Sequence, residues 1–439
     1  MRVELYFDIS CPYAYIGSTQ IEALCAARGA ELVWRPMLLG GVFRSIGAGK
    51  GPMANMAPAK ARHNACDMHR WADVFEVPLT VPPGHPMRTV AALRAILALP
   101  EDRWPALAHG FYRAYWRQGK QPGAESTITE AVRGAGLDDG AVARALAANT
   151  DPAIKDELRR RTDEAVARGV FGAPTFFISG DDIPADQALM FWGQDRLHMV
   201  DAALAGWRPG SGAPPETDPR WTGAPTEIWE TADAPPVLDF WYDFSSPFAY
   251  LGATQIEAVA ARAGARLRWR PMLLGAVFKQ IGTANVPMFA VNDNKRRWLA
   301  RELDYWASYW QVPFRFTSHF PMKTVTALRL ALIAGDRIAE LSHALFRALW
   351  VEDRDISDAA VLADVLGGLD MDAEAMLVRT REPAVKQQLI DATSAAIDAG
   401  VFGAPTSVVG PADSPMLFWG QDRLALVERA LGGWRPPLA

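Results

Sequence analysis

A heptapeptide, Trp34-Arg35-Pro36-Met37-Leu38-Leu39-Gly40, returns unchanged 235 positions later as Trp269 to Gly275. Lys60 and Lys295, Trp71 and Trp306, and Pro86-Met87 and Pro321-Met322 keep the same spacing. Further on, Val170-Phe171-Gly172-Ala173-Pro174-Thr175 returns as Val401 to Thr406. Phe191-Trp192-Gly193-Gln194-Asp195-Arg196-Leu197 returns as Phe418 to Leu424, by which point the offset has shrunk to 227. A few small deletions therefore separate the copies. Repeats of about 20–50 residues build solenoids, whereas a period this long duplicates a whole domain. The 439 residues allow two such domains, each with a sizeable core. Prolines 209, 214, 215, 219, 225, 235 and 236 crowd the stretch between the copies, as in an extended, semi-rigid connector. The expected division is thus 1–208, a linker 209–236, and 237–439. Trp221 and Trp229 are unusual in a solvated linker and are expected to dock on one of the domains.

Within each copy the pattern starts strand, helix, strand. Val3, Leu5 and Phe7 alternate with Glu4 and Tyr6, and Leu238, Phe240 and Tyr242 alternate with Asp239 and Trp241, the period of a half-buried strand. Residues 13–29 read as a helix stopped by Gly29, and 31–35 as a second strand. A helical region over about 57–169 follows, broken at Pro78, Pro82-Pro83-Gly84 and Pro122-Gly123. Phe176-Phe177-Ile178 is β-rich, and 195–204 closes the copy as a helix. A βαβ unit and a ββα unit separated by helices give an α/β class: two tandem thioredoxin-like domains, each with a helical insertion.

Each first strand runs into a short polar turn: Asp8-Ile9-Ser10-Cys11-Pro12-Tyr13-Ala14-Tyr15 in one copy, Asp243-Phe244-Ser245-Ser246-Pro247-Phe248-Ala249-Tyr250 in the other. Proline suits the first helical turn, where its missing N–H would be unpaired anyway. Cys11 and Ser246 therefore stand at helix N-termini, where free N–H groups favour an anion or thiolate. On that ground Cys11 is expected to have a depressed pKa and to be nucleophilic. Cys25 lies fourteen residues on, about 20 Å along a helix at 1.5 Å per residue, too far to resolve it. With Cys66 these are the only cysteines, none in a CxxC pair. A disulfide framework is not expected, and a reducing, cytoplasmic setting fits. Met1 leads directly into a strand with no signal-peptide run. No apolar stretch approaches ~18 residues, so no membrane span is expected. A net charge of −5 gives no footprint for nucleic acid.

The Asp-x-x-Ser-Pro-[Tyr/Phe]-x-Tyr start, the Val-Phe-Gly-Ala-Pro-Thr turn and the Phe-Trp-Gly-Gln-Asp-Arg-Leu close together resemble the 2-hydroxychromene-2-carboxylate isomerases. These belong with kappa-class glutathione transferases and DsbA-like thioredoxin domains. The likeness covers nearly all of both copies except the linker. It implies glutathione as cofactor, and Ser246, or Cys11 at the equivalent place, as the catalytic residue facing its thiol. A serine hydroxyl does not ionise at neutral pH but can donate to a bound thiolate. Pro174 and Pro405 are expected to be cis, offering the backbone of Ala173 and Ala404 to the tripeptide. The resemblance places Gln194, Asp195, Gln421 and Asp422 at the γ-glutamyl end, and Lys60 and Lys295 on a carboxylate of glutathione or substrate. The bland alternatives are helix caps for the two aspartates and solvated surface for the two lysines.

His63, Cys66 and His69 stand at i, i+3, i+6 with His85 nearby, but Trp298, Arg301 and Asp304 replace the first three in the second copy. No known metal-ligand spacing is matched and no metal is expected. Trp116, Trp350, Trp192 and Trp419 suit a core better than a cofactor stack, although they can wall an aromatic pocket. The leading reading is a glutathione-dependent isomerase or transferase in which a thiolate adds to a conjugated enone of an aromatic catabolite. Free-standing relatives resemble homodimers, so the fusion implies a pseudo-dimer within one chain and allows a further homodimer. Two alternatives stand beside it: a thiol-disulfide oxidoreductase working through a mixed disulfide at Cys11, and a non-catalytic binding or scaffold module. A dithiol oxidant is disfavoured because the Cys-Pro-x-Cys partner is missing.

Overall fold

The computed structural model describes residues 1–49, 51, 56–225, 235–284, 286–410 and 414–437. The first copy runs β1 (Arg2–Phe7), α1 (Pro12–Ala27), β2 (Glu31–Pro36), α2 (Leu39–Ser45) and α3 (Pro58–Val74). It continues through α4 (Val90–Leu97), α5 (Trp104–Trp116), α6 (Glu125–Gly134), α7 (Asp139–Ala147) and α8 (Pro152–Ala167), and closes with β3 (Thr175–Ser179), β4 (Leu189–Trp192) and α9 (Leu197–Leu204). The second copy repeats the order: β5 (Val237–Tyr242), α10 (Pro247–Arg262), β6 (Arg266–Pro271), α11 (Leu274–Gln280) and α12 (Asp293–Tyr309). Helices α13 (Val325–Ile333), α14 (Ile338–Trp350), α15 (Ala359–Gly367), α16 (Ala373–Arg379) and α17 (Pro383–Asp398) precede β7 (Thr406–Val409), β8 (Met416–Trp419) and α18 (Leu424–Leu431).

Two four-stranded sheets result, ordered β2-β1-β3-β4 and β6-β5-β7-β8. In each, the first strand lies parallel to the second and antiparallel to the third, with Leu5 opposite both Trp34 and Phe176. The central strands are buried on both faces, unlike the half-buried strands that alternation predicts. Glu4 and Tyr6 are as covered as Leu5 because Arg168 and Arg35 close over the Glu4 carboxylate. Burial pushes the Glu4 carboxyl up, but these two arginines outweigh it and hold the group below its usual range. Helix α1 starts at Pro12, as its sequence requires, and stops at Gly29, whose φ of +62° suits glycine.

Asp8 ties the strand end to the helices. It accepts from Leu39 N–H at 2.7 Å, the Thr89 hydroxyl at 2.7 Å and Ser10 N–H at 3.0 Å. Asp243 receives Leu274 and Ser245 N–H in the same way. The aspartate of the opening motif is therefore a clamp that fixes the turn carrying Cys11 or Ser246. Trp116 and Trp350 are fully buried and donate to Ile9 O and Phe244 O, each at 2.9 Å, so they belong to the core.

The copies pack against one another, and most buried apolar residues form one continuous cluster running through both. Helix α3 lies on the edge strand β8: Arg70 donates to Leu417 O at 2.7 Å, and His63 Nε2 accepts Trp419 N–H at 3.1 Å. Reciprocally α12 lies on β4, with Trp298 against Trp192 and Tyr305 against Phe191. Each copy thus covers the open sheet edge of the other, a place where an exposed strand would invite aggregation. Trp221 is buried as expected. The adjoining backbone is held by Arg429, which hydrogen-bonds Gly223 O and Ala224 O. Trp229 lies outside the described residues.

Candidate functional site

Cys11 and Ser246 occupy the N-cap of α1 and α10, with φ of −95° and −97°. Both face the carbonyl that precedes a cis proline. The Ala173–Pro174 and Ala404–Pro405 bonds are cis, as expected, and so are His85–Pro86 and Phe320–Pro321, which the sequence reading missed. Ser246 Oγ donates to Ala404 O at 2.9 Å and accepts Ala249 N–H at 3.1 Å. Cys11 Sγ donates to Ala173 O at 3.0 Å. The two groups are equivalent in place and in their hydrogen bond to the turn.

They differ from expectation in one respect. Burial pushes the Cys11 thiol up to about 12, outweighing the backbone N–H of Ala14, while the nearby Asp8 pushes it further the same way. The thiol is a protonated donor, not the activated thiolate that a helix N-terminus favours. Cys25 is raised to about 12 as well, again by burial.

Gly193 and Gly420, with φ near +107° and +106°, turn the chain into Gln194–Arg196 and Gln421–Arg423 beside each cis proline. The added Cβ of Gly17 would touch both Gln194 Cβ and Pro174, which places Gln194 against α1 and the proline turn. Gln194 Nε2 and Trp192 Nε1 are buried donors without an acceptor among the described residues.

Neither Asp195 nor Asp422 caps a helix with its side chain. Both join an ion network where the copies meet. Arg423 grips Asp67 through Nε and Nη2 at 2.7 and 2.9 Å and also reaches Asp195. Arg196 bonds Glu302 at 2.6 Å and Asp422 at 2.7 Å. Burial pushes Asp67 and Asp422 up, but the arginines outweigh it and leave both carboxyls below their usual range. For Glu302 burial prevails and its pKa is raised. Asp67, Glu302, Arg196 and Arg423 had no role in the sequence reading. The signal was available, because Asp67 and Glu302 are acids at the same repeat offset.

Lys60 and Lys295 are half-buried rather than freely solvated. Lys60 Nζ lies 4.8 Å from the Trp419 ring centre and Lys295 Nζ 5.6 Å from that of Trp192, each over a tryptophan of the other copy. Burial, then the charge of Lys60, lowers Lys295 to about 8, and burial lowers Lys60. On α3, His63 packs edge-on to Phe402 and Trp419, and Asn64 meets Tyr13 OH at 3.2 Å. His85 pairs with Tyr115 OH at 2.8 Å.

A helix N-cap cysteine or serine facing a cis-proline turn, on a βαβ–ββα sheet with inserted helices, defines a thioredoxin-like fold. The family match agrees: the DSBA-like thioredoxin domain is found over residues 2–205 and again over 237–432. The chain belongs to that family, in two tandem copies. It is 28% identical over 204 residues to 2-hydroxychromene-2-carboxylate isomerase of Pseudomonas putida, covering 46% of this chain and 94% of that protein. It is 28% identical over 218 residues to glutathione S-transferase kappa 1 of Rattus norvegicus, covering 47% and 95%. Among solved structures, a 2-hydroxychromene-2-carboxylate isomerase is 26% identical with a TM-score of 0.41, over 45% of this chain and 95% of that one. Each relative spans about one copy. No helix among the described residues is long and apolar enough to cross a membrane.

Proposed function

We propose that this protein is a glutathione-dependent isomerase or transferase, with Ser246 as the residue that faces the thiol. The observation that carries this reading is a pair of buried donors at the cis-proline turn of the first copy, the equivalent of the turn that faces Ser246 in the second. Among the described residues Gln194 Nε2 and Trp192 Nε1 are buried without acceptors, and no carboxylate pairs with Lys60 or Lys295. Buried donors left unmatched are costly, and a tripeptide bearing two carboxylates and several carbonyls would match them. Bound glutathione would supply a thiolate able to add reversibly to a conjugated enone, permitting rotation before it leaves unchanged.

The chain's own contribution is positional. Ser246 Oγ, held by Ala249 N–H, can turn its proton from Ala404 O toward a sulfur at the N-terminus of α10 and lower that thiol's pKa. Ala404 and Ala173 present turn backbone to an extended peptide, and the lysines take its carboxylates. Among the described residues the Ser246 hydroxyl bonds only backbone, Ala404 O and Ala249 N–H, which suits addition and elimination at sulfur, where positioning does most of the work. Cys11, protonated and buried, gives the mixed-disulfide alternative no support.

Calorimetric titration with reduced glutathione tests the reading, repeated on Ser246→Ala and Cys11→Ser. Two binding events would mean that both copies are competent. A single event lost in Ser246→Ala would place the site in the second copy. No binding would refute the proposal.

A further inference from the structure

An open groove of about 410 Å³ lies on the first copy, between α1, the chain that leaves α3 and the end of α5. Cys11, Pro174 and Gln194 are not among its walls. Tyr15, Phe75 and Val77 line it and are buried, and Thr19 and Gln20 add a half-buried hydroxyl and amide. Tyr15 OH donates to Pro78 O at 3.1 Å, which fixes α1 to the opposite wall. Over this apolar floor stand two cations, Arg113 in α5 and Arg117 at its C-cap. Four residues apart on a helix, they share one face. Among the described residues neither guanidinium meets a carboxylate. Glu22 is taken by His109 at 3.1 Å, and Glu76, on the lining, pairs with neither arginine.

The second copy separates a binding role from an incidental one. A cation at a helix C-terminus is favourable by itself, yet α14 ends at the equivalent place on Val351 and does without one. Arg347, the equivalent of Arg113, is neutralised by Glu352 at 2.8 Å, where the first copy has Gln118. Tyr250, Thr254, Gln255 and Pro313 repeat the walls. The walls are thus common to both copies, whereas the uncompensated arginine pair belongs to the first alone. Two guanidiniums above an apolar floor, in a groove of small-molecule size, suit an anionic head on an apolar body.

We propose that this groove is a second binding site, for a small organic anion with an aromatic body and a carboxylate or phosphate head. Arg113 and Arg117 hold the head, while Tyr15, Phe75 and Val77 take the ring. Tyr15 N–H donates to Cys11 O at 3.0 Å, so the ligand rests against the helix that carries Cys11, one turn beyond it. The site does not depend on the glutathione reading.

The test is equilibrium dialysis of the full chain at pH 7 against 2-naphthoate and against 2-naphthyl phosphate. Binding of either supports the proposal, and the tighter names the head group. Arg117→Val, which copies the second repeat at an exposed position, should weaken that binding about tenfold or more, as loss of a charged hydrogen-bonding partner does. Arg347→Gln in the second copy should leave it unchanged. Raising the salt to 0.5 M should weaken it in the unaltered protein, a readout that needs no variant. Equal binding by Arg117→Val and the unaltered protein, an equal loss in Arg347→Gln, or no binding of either probe would overturn the site. Inorganic phosphate bound as tightly as the naphthyl compounds would remove the aromatic body from the proposal and overturn it in that form.

Discussion

At Cys11 two effects compete and their sizes decide the outcome. A helix N-terminus favours a negative charge by up to about 1–2 kcal/mol, equivalent to about one pKa unit. Full burial moves a thiol several units the other way. The result is a protonated thiol that serves as a sulfur version of the Ser246 hydroxyl, bonded to the equivalent carbonyl. Native Cys11 should therefore be alkylated by iodoacetamide at pH 7.5 at least tenfold more slowly than in the urea-unfolded chain, as read by peptide mapping. Rapid native labelling would show the thiolate to be accessible after all. Ser246→Ala should cost about 1–2 kcal/mol in urea unfolding, because it removes the cap to Ala249 and leaves Ala404 O without its donor. Ser246→Cys should cost less. The position of both residues was legible in the sequence, since proline fixes the helix start. The protonation state was not, because the groups that cover Cys11 come from remote segments of the chain.

At the scale of elements, the two Gly-Ala-Pro turns are shaped by close approach. A Cβ on Gly172 would lie 2.5 Å from Trp192 Nε1, so the glycine lets the indole fold over the turn and meet Phe171 and Trp298. Gly172→Ala should displace that ring from the α12 contact and lower stability by about 1–3 kcal/mol. Gly134→Ala, in α6 with open space around it, should be neutral or slightly stabilising. Equal urea midpoints for the two variants would mean that the indole does not depend on the turn. Periodicity and turn residues located β1, β2, β3, β5, α1 and both turns within a residue or two, but gave β4 no bounds. They did not reveal that β1 is covered on both faces, because Arg168, far along the chain, supplies the cover over Glu4. Nor did they show the destination of α3 and α12, whose polar faces look solvated until the other copy's edge strand is laid against them.

The whole molecule is two copies locked by reciprocal helices, and the lock contains two histidines that burial keeps neutral. His63 must accept Trp419 N–H through Nε2, and His198 is packed against Trp306 and Tyr309 beside Arg196. Burial lowers His63 to about 4 and His198 to about 3, with the charge of Arg196 adding to the latter. Both values lie below the ordinary 6.5, so between pH 6.5 and about 4 the unfolded chain binds more protons than the folded one. Stability must then fall as pH drops through that window, by about 1 kcal/mol per pH unit for each histidine. Asp8, Asp243 and Glu302, whose carboxyls burial raises, act in the opposite sense, so the histidine contribution is best read as a difference. His63→Gln leaves a side chain able to accept from Trp419 but unable to titrate. Its urea-unfolding free energy should lose less between pH 6.5 and 4.5 than that of the unaltered protein, by about 1–2 kcal/mol. Parallel pH profiles would mean that His63 can leave its place between Phe402 and Trp419 and take up a proton without loosening the contact between the copies.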